Sequence, residues 1–269
     1  MDYPDLKYYE IDDAQKEEVR DLLKKLTLYN FYEKIDKEFK KTIVPDKCEI
    51  CNEKLRKIVN AKDELIKLCK SVCNFILSNE DFQNFCKGES CKHSCLYMKF
   101  RLYDHVMKIN HHTDDISIFF HALQSISKLS EARLENCDIT NFNLKQNDFT
   151  YYKYLYEFLS TFFDITDKIS EEYNSKDKLY CKHIKEFFRF YNSIRKNCTS
   201  RPTCGYYNIF DNIKTKLKTN DQLIFIYEKC KYELTECPQD TNIHNDIPCL
   251  KDKAEISKIP KNILMKKTV

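Results

Sequence analysis

The sequence predicts an all-α fold, a single disulfide-rich, multi-helix domain with an extended or disordered C-terminal tail. Three observations carry this. Apolar residues recur at helical spacing through most of the chain. Only two glycines, Gly88 and Gly205, punctuate 269 residues, where average usage would supply about 19. Charged residues make up 32% of the chain with both signs interspersed, as on solvated helix faces around an apolar stripe.

The elements follow in order. A first helical segment runs from about Asp13 to Lys41 on Val19, Leu22, Leu23, Leu26, Tyr32, Ile35 and Phe39, with a local break around Thr27–Asn30. The next is one stripe through Leu55, Ile58, Val59, Leu65, Ile66, Cys69, Val72, Cys73 and Ile76. A short helix over Glu80–Cys86 is stopped by Gly88. From Ser94 to Lys108 apolar residues occupy both faces, which predicts a central, buried helix. Asp114 or Asp115 can cap a helix through Ile116, Phe119, Phe120, Leu123 and Ile126 towards Leu134. Asn136–Asp148 is asparagine-rich and predicts a long loop. Helices follow on Tyr152–Ile169 and on Tyr180–Arg195, then two shorter ones on Phe210–Leu217 and Leu223–Leu234. Residues 1–237 form the domain. Beyond Cys237 the chain turns polar, with Pro238, Pro248 and Pro260, and is expected to be a tail.

Composition also excludes functions. Dinucleotide fingerprints, phosphate-cradling loops and nucleophile elbows need clustered glycines that this chain lacks. A net charge of +3, from 45 basic against 42 acidic residues, provides no basic footprint for nucleic acid. The cationic stretch Lys251–Lys267 is a solvated tail. No stretch approaches the run of about 18 apolar residues that spans a bilayer. No Ser-His-Asp, paired-carboxylate or Cys-His arrangement can be picked out, so neither an enzyme nor a cofactor is expected.

Fourteen cysteines are the loudest signal: Cys48, Cys51, Cys69, Cys73, Cys86, Cys91, Cys95, Cys137, Cys181, Cys198, Cys204, Cys230, Cys237 and Cys249. An even, high count points to disulfides in an oxidising compartment. Yet Met1–Lys25 is acidic and polar, without the apolar run of a secretory signal. Helix geometry limits the pairing. Cys69 and Cys73 lie one turn apart and point the same way, so they are poor partners for each other. Cys51 and Cys69 would lie about 27 Å apart on a helix starting directly after Asn52, and Cys181 and Cys198 about 25 Å apart on another. Short closures remain open: Cys73 with Cys86, Cys198 with Cys204, and Cys237 with Cys249. Zinc is the rival reading, since Cys48-Glu-Ile-Cys51 and Cys91-Lys-His-Ser-Cys95 resemble ligand pairs. Their spacing matches no consistent finger or ribbon, and the remaining cysteines would go unexplained.

His111-His112-Thr113-Asp114-Asp115 reads first as a solvated loop ending in a helix cap rather than as a metal cluster. Asn110–Asp115, Asn136–Asp148 and the Cys198–Cys204 loop can vary without repacking a core, so they are the expected recognition segments. His111, His112, Arg201, Tyr206 and Tyr207 are the candidate contact residues. The 18 tyrosines and 18 phenylalanines, at helical spacing, read as core and half-buried rim. Asn197-Cys198-Thr199 is a glycosylation sequon by pattern.

Three blocks resemble the PIR superfamily of malaria-parasite variant surface antigens, in particular its vivax (VIR) branch. Leu26-Thr-Leu-Tyr-Asn-Phe-Tyr-Glu-Lys-Ile-Asp36 is similar to the family's N-terminal motif, with Thr27-Leu28 in place of Pro-Ser. Cys95-Leu-Tyr-Met-Lys-Phe-Arg-Leu-Tyr-Asp104 resembles the central block, with Arg101 where tryptophan is usual. Tyr180-Cys181 and the aromatic run to Ile194 are similar to a third. The resemblance covers roughly Leu26 to Cys237. It implies a non-catalytic antigen exported to the infected erythrocyte, membrane-tethered by a helix beyond this chain, which then reads as an ectodomain. Its implied partners are a host cell-surface or extracellular-matrix protein and antibodies; the resemblance supplies no contact residues. An antigenic decoy without a single receptor is the alternative, and an intracellular zinc protein a third.

Overall fold

The computed structural model describes residues 3–41, 46–59, 61–78, 93–134, 137–169, 174–200, 204–218, 222–235 and 247–253. Among these the chain is all-α apart from one two-stranded ribbon. The expected Glu80–Cys86 helix, Arg201, and Cys86, Cys91 and Cys237 lie outside the described residues.

Helix α1 (Asp13–Leu23) opens where the Asp12 side chain accepts from Gln15 N–H, satisfying a donor that the first turn would leave bare. Helix α2 (Thr27–Phe39) follows a break at Lys24–Leu26, one turn earlier than expected. Thr27 N–H donates to Asp164 of a distant helix at 2.9 Å, which fixes where α2 restarts. Leu28, Tyr29, Phe31, Tyr32, Ile35 and Phe39 then turn inward.

The next segment departs from expectation. Instead of one helix through Leu55–Ile76, a 3₁₀ turn (Asp46–Glu49) and α3 (Ile50–Lys54) are followed by a reversal before α4 (Lys62–Ser78). Ala61 adopts φ 51° at the end of that reversal, and Val59, counted on the stripe, is 85% exposed. The reversal folds α3 back onto α4, so Cys48 pairs with Cys73 and Cys51 with Cys69. The 27 Å objection to Cys51–Cys69 therefore falls, because no continuous helix joins them. Cys73 is spoken for by Cys48 and not by Cys86.

Helix α5 (Ser94–Ile109) is buried nearly all round, as its two-sided pattern predicts. Helix α6 (Thr113–Ser127) begins earlier and ends sooner than expected. Asp114 and Asp115 lie in its first turn rather than capping it. There Asn110 ties the entry instead, accepting from His112 N–H and donating to Asp115, both at 2.8 Å. Residues 137–145 carry no regular structure but are not a loose loop. Cys137 is bonded to Cys95 of α5, Ile139 is fully buried, and the Phe142 ring stacks on Phe100 at 5.3 Å.

Helices α7 (Gln146–Thr166) and α8 (Ser175–Arg195) form the longest pair. A reciprocal capping box between Asn174 and Asp177 starts α8. Phe158 and Phe187 lie face to face between them. After the Cys198–Cys204 bridge come α9 (Tyr207–Lys218) and α10 (Gln222–Lys229), the latter held to α8 by Cys181–Cys230. Strand β1 (Tyr232–Thr235) then pairs antiparallel with β2 (Cys249–Asp252), Tyr232 opposite Asp252 and Thr235 opposite Cys249. This corrects the expected tail boundary at residue 238. Ile247, Cys249 and Leu250 are buried, and Lys185 of α8 reaches Asp252 at 2.8 Å, so this stretch belongs to the domain.

Helix α2 packs against α4, α5 and α7, and α8 against α1, α7 and β2. One continuous apolar cluster runs from Leu6 to Leu250. Among the described residues no helix is long and apolar enough to cross a membrane. The crosslinks place the folded chain in an oxidising, extracellular or secreted environment.

Candidate functional site

Among the described residues, a cluster of buried charged groups lies where α2, α5 and α7 meet. Spacings of three and four residues put Arg101 and Asp104 on one face of α5, and Lys153 and Glu157 on one face of α7. Tyr32 and Asp36 face them from α2. Arg101 is only 1% exposed, yet its whole fork is engaged. Its Nη2 donates to Asp36 Oδ2 at 2.6 Å and its Nε to Oδ1 at 3.1 Å, while Nη1 donates to Asp104 at 3.0 Å. The guanidinium also lies over the Tyr3 and Tyr32 rings at 4.6 and 5.4 Å. Lys153 Nζ donates to Asp104 and lies 3.8 Å from Glu157. Tyr32 donates its hydroxyl to Glu157 at 2.9 Å, and His105 Nε2 meets Asp36 at 2.9 Å.

Electrostatics follow from this geometry. Burial acts to raise the Asp36 carboxyl, but hydrogen bonds from His105 and Arg101 outweigh it and hold the group below its ordinary range. Burial likewise opposes the charge on Arg101 and on Lys153, and in both cases the facing carboxylates win. Glu157 goes the other way. Burial, with the Asp104 charge beside it, pushes it up to about 7 despite Lys153. With Glu157 protonated, the two cations balance Asp36 and Asp104, so the buried cluster is neutral.

A pH-dependent stability follows. Below the ordinary glutamate value of 4.5, Glu157 is protonated in the folded and the unfolded chain alike. Between there and about 7 only the folded chain keeps the proton, so stability falls as pH rises through that window. At about 1.4 kcal/mol per pH unit the loss amounts to about 3 kcal/mol. Buried His183, pulled down to about 3, gives the opposite slope below its ordinary 6.5. The difference between Glu157→Gln and the parent therefore isolates the glutamate. Denaturant midpoints at pH 5 and pH 8 should show the variant gaining on the parent at the higher pH; parallel curves would contradict the assignment.

The expected site residues fare unevenly. Every described cysteine is oxidised, so Cys48 and Cys51 serve two different bridges and form neither a zinc pair nor a redox dithiol. Cys95 is likewise committed to Cys137, and the His93 ring packs between Tyr97 and Tyr156. Among the described residues no group of His, Cys, Asp and Glu is placed to hold a metal ion. His111 and His112 are exposed, as a contact loop requires. Tyr206 is a correction: it is 5% exposed, with its ring against Tyr151 and Phe210, and serves the core. Tyr207 is half-buried beneath the Arg195 guanidinium at 5.1 Å. Of the three predicted recognition segments, Asn136–Asp148 comes against the end of the Cys198–Cys204 loop, where the Leu144 side chain packs on Gly205.

The sequence reading missed the Arg101–Asp104–Lys153–Glu157 cluster. Its signal was present in α5, where a helix apolar on both faces nevertheless carries an arginine and an aspartate. Comparison with protein-family models, with curated proteins and with solved structures returns no match.

Proposed function

We propose that this chain is the ectodomain of a variant surface antigen of the PIR type, vivax branch, exported to the infected erythrocyte and adhering to a host surface protein without catalysis. One observation carries the reading: apart from Asn30, Glu33 and Lys34 of the first, the residues of the three resembling blocks are buried or half-buried. Tyr32 and Asp36 of the first and Arg101 and Asp104 of the second meet in the buried cluster. Cys181, Ile184, Phe187, Phe188 and Tyr191 of the third are fully buried. On this reading the three blocks are scaffold, and the exposed His111 and His112 lie outside them. A disulfide-held framework that carries exposed turns of this kind is suited to display outside cells.

Two measurements test this. Antibodies raised against the oxidised domain should label the surface or membrane system of intact infected red cells, and a screen of human surface proteins should return a saturable partner. Replacing His111 and His112 together by alanine should weaken that binding without changing helicity. Display without any partner would overturn adhesion and favour a decoy; absence of label from infected cells would overturn the reading as a whole.

A further inference from the structure

The chain leaves α8 in a tight turn, in which Asn197 N–H donates to Ile194 at 3.2 Å and Cys198 N–H to Arg195 at 3.1 Å. Cys198 is fully buried, held inward by its bond to Cys204. Its two neighbours point the other way, and Asn197 and Thr199 are both exposed. Neither side chain makes a hydrogen bond among the described residues. An uncommitted carboxamide and an uncommitted hydroxyl therefore stand two residues apart on the surface. They are the first and third members of Asn197-Cys198-Thr199, the one Asn-X-Ser/Thr triplet in the sequence.

Such a triplet can accept a bulky, solubilising glycan, which a fold tolerates only at its surface. Two conditions decide whether it does. The chain must mature in a lumen where glycans are transferred, and the acceptor must stay exposed once the domain has folded. Five crosslinks among the described residues meet the first, since disulfides and glycan transfer share the secretory lumen. The outward turn of Asn197 meets the second. We propose that Asn197 is an acceptor for N-linked glycosylation. In that step its carboxamide nitrogen forms a bond to the anomeric carbon of a lipid-diphosphate-linked oligosaccharide. The bond from that carbon to the diphosphate oxygen breaks, the lipid diphosphate leaves with the electron pair, and the carboxamide gives up one proton. The inference goes beyond the display reading and needs only a chain that folds in an oxidising lumen.

The test expresses the full chain behind a cleavable secretory leader in eukaryotic cells and reads the mass of the secreted protein and of its peptides. The expected result is an added mass of at least one N-acetylhexosamine on the peptide that holds Asn197. Peptide-N-glycosidase should remove it and leave an aspartate in place of the asparagine. Asn197→Gln and Thr199→Ala should each lose the whole increment, and Thr199→Ser should keep it. Melting temperature and helicity should not change in any of the three, because neither side chain has a partner to lose. A parent chain of unmodified mass would overturn the inference, as would an increment carried by another residue or one that survives Thr199→Ala. If little protein is secreted, the same peptide mapping on chain retained inside the cells decides between these outcomes.

Discussion

Replacing Arg101 by methionine is expected to lower the stability of the domain by about 3–5 kcal/mol. The residue is among the largest fully buried side chains of the described residues, and it faces two carboxylates. Removing it leaves Asp36 with His105 alone, and Asp104 with Lys153 alone. The cost is therefore the penalty of stranded charge rather than the worth of the pair itself. Two companion variants make the argument specific. Asp36→Asn in the Arg101→Met background should recover part of the loss, because the carboxylate left behind is then neutral. Arg101→Lys should recover less than the charge count suggests, since one ammonium cannot reproduce a fork that reaches Asp36 twice and Asp104 once. Urea midpoints with constant slope would measure each. A methionine variant as stable as the parent would show that the cluster contributes nothing net.

The same residue marks where sequence reasoning stops. Apolar residues on both faces predict that the helix around it is buried, and that pattern is silent about charge. An arginine can sit there because Asp36 arrives from α2 to join Asp104 of its own helix, and no local pattern reports a partner that distant. Tyr206 failed for the mirror reason. It follows a disulfide loop and was read as surface, but Phe210 one turn on and Tyr151 across the interface draw it inside.

The long helices are legible because α7 and α8 repeat an apolar stripe over many turns, while α5 is apolar on both faces over enough length to read as a buried helix. The α3–α4 region was not. Its apolar residues keep helical phase across Leu55–Ile76, yet two crosslinks hold the chain in a reversal, and the phase agreement through Val59 is accidental. Strands β1 and β2, four residues each, were missed because a ribbon so short is defined by its partner and not by its own alternation.

Reduction of the disulfides is expected to produce the largest single effect, and its size can be argued bridge by bridge. In the chain-entropy view a crosslink stabilises by restricting the unfolded chain, more so for longer loops. Cys95–Cys137 and Cys181–Cys230 close spans of 42 and 49 residues that do not overlap, so each should contribute about 4 kcal/mol independently. Cys48–Cys73 and Cys51–Cys69 are nested, with separations of 25 and 18. Either alone contributes about 3 kcal/mol, and the second adds little once the first is closed. Cys198–Cys204 closes a separation of only six inside the Cys181–Cys230 span and contributes least, at most about 2 kcal/mol. For these five bridges the total is on the order of 10 kcal/mol, which at about 2–4 °C per kcal/mol lowers the melting temperature by about 20 °C or more. Helicity at 25 °C should survive, because the apolar cluster is built chiefly of aliphatic and aromatic side chains, with the cysteines a minority of its members. Paired alanine variants give the ranking: Cys95→Ala with Cys137→Ala should be far more damaging than Cys51→Ala with Cys69→Ala. Equal losses for those two pairs would refute the nesting argument, and unchanged melting in reducing agent would refute the bridges themselves.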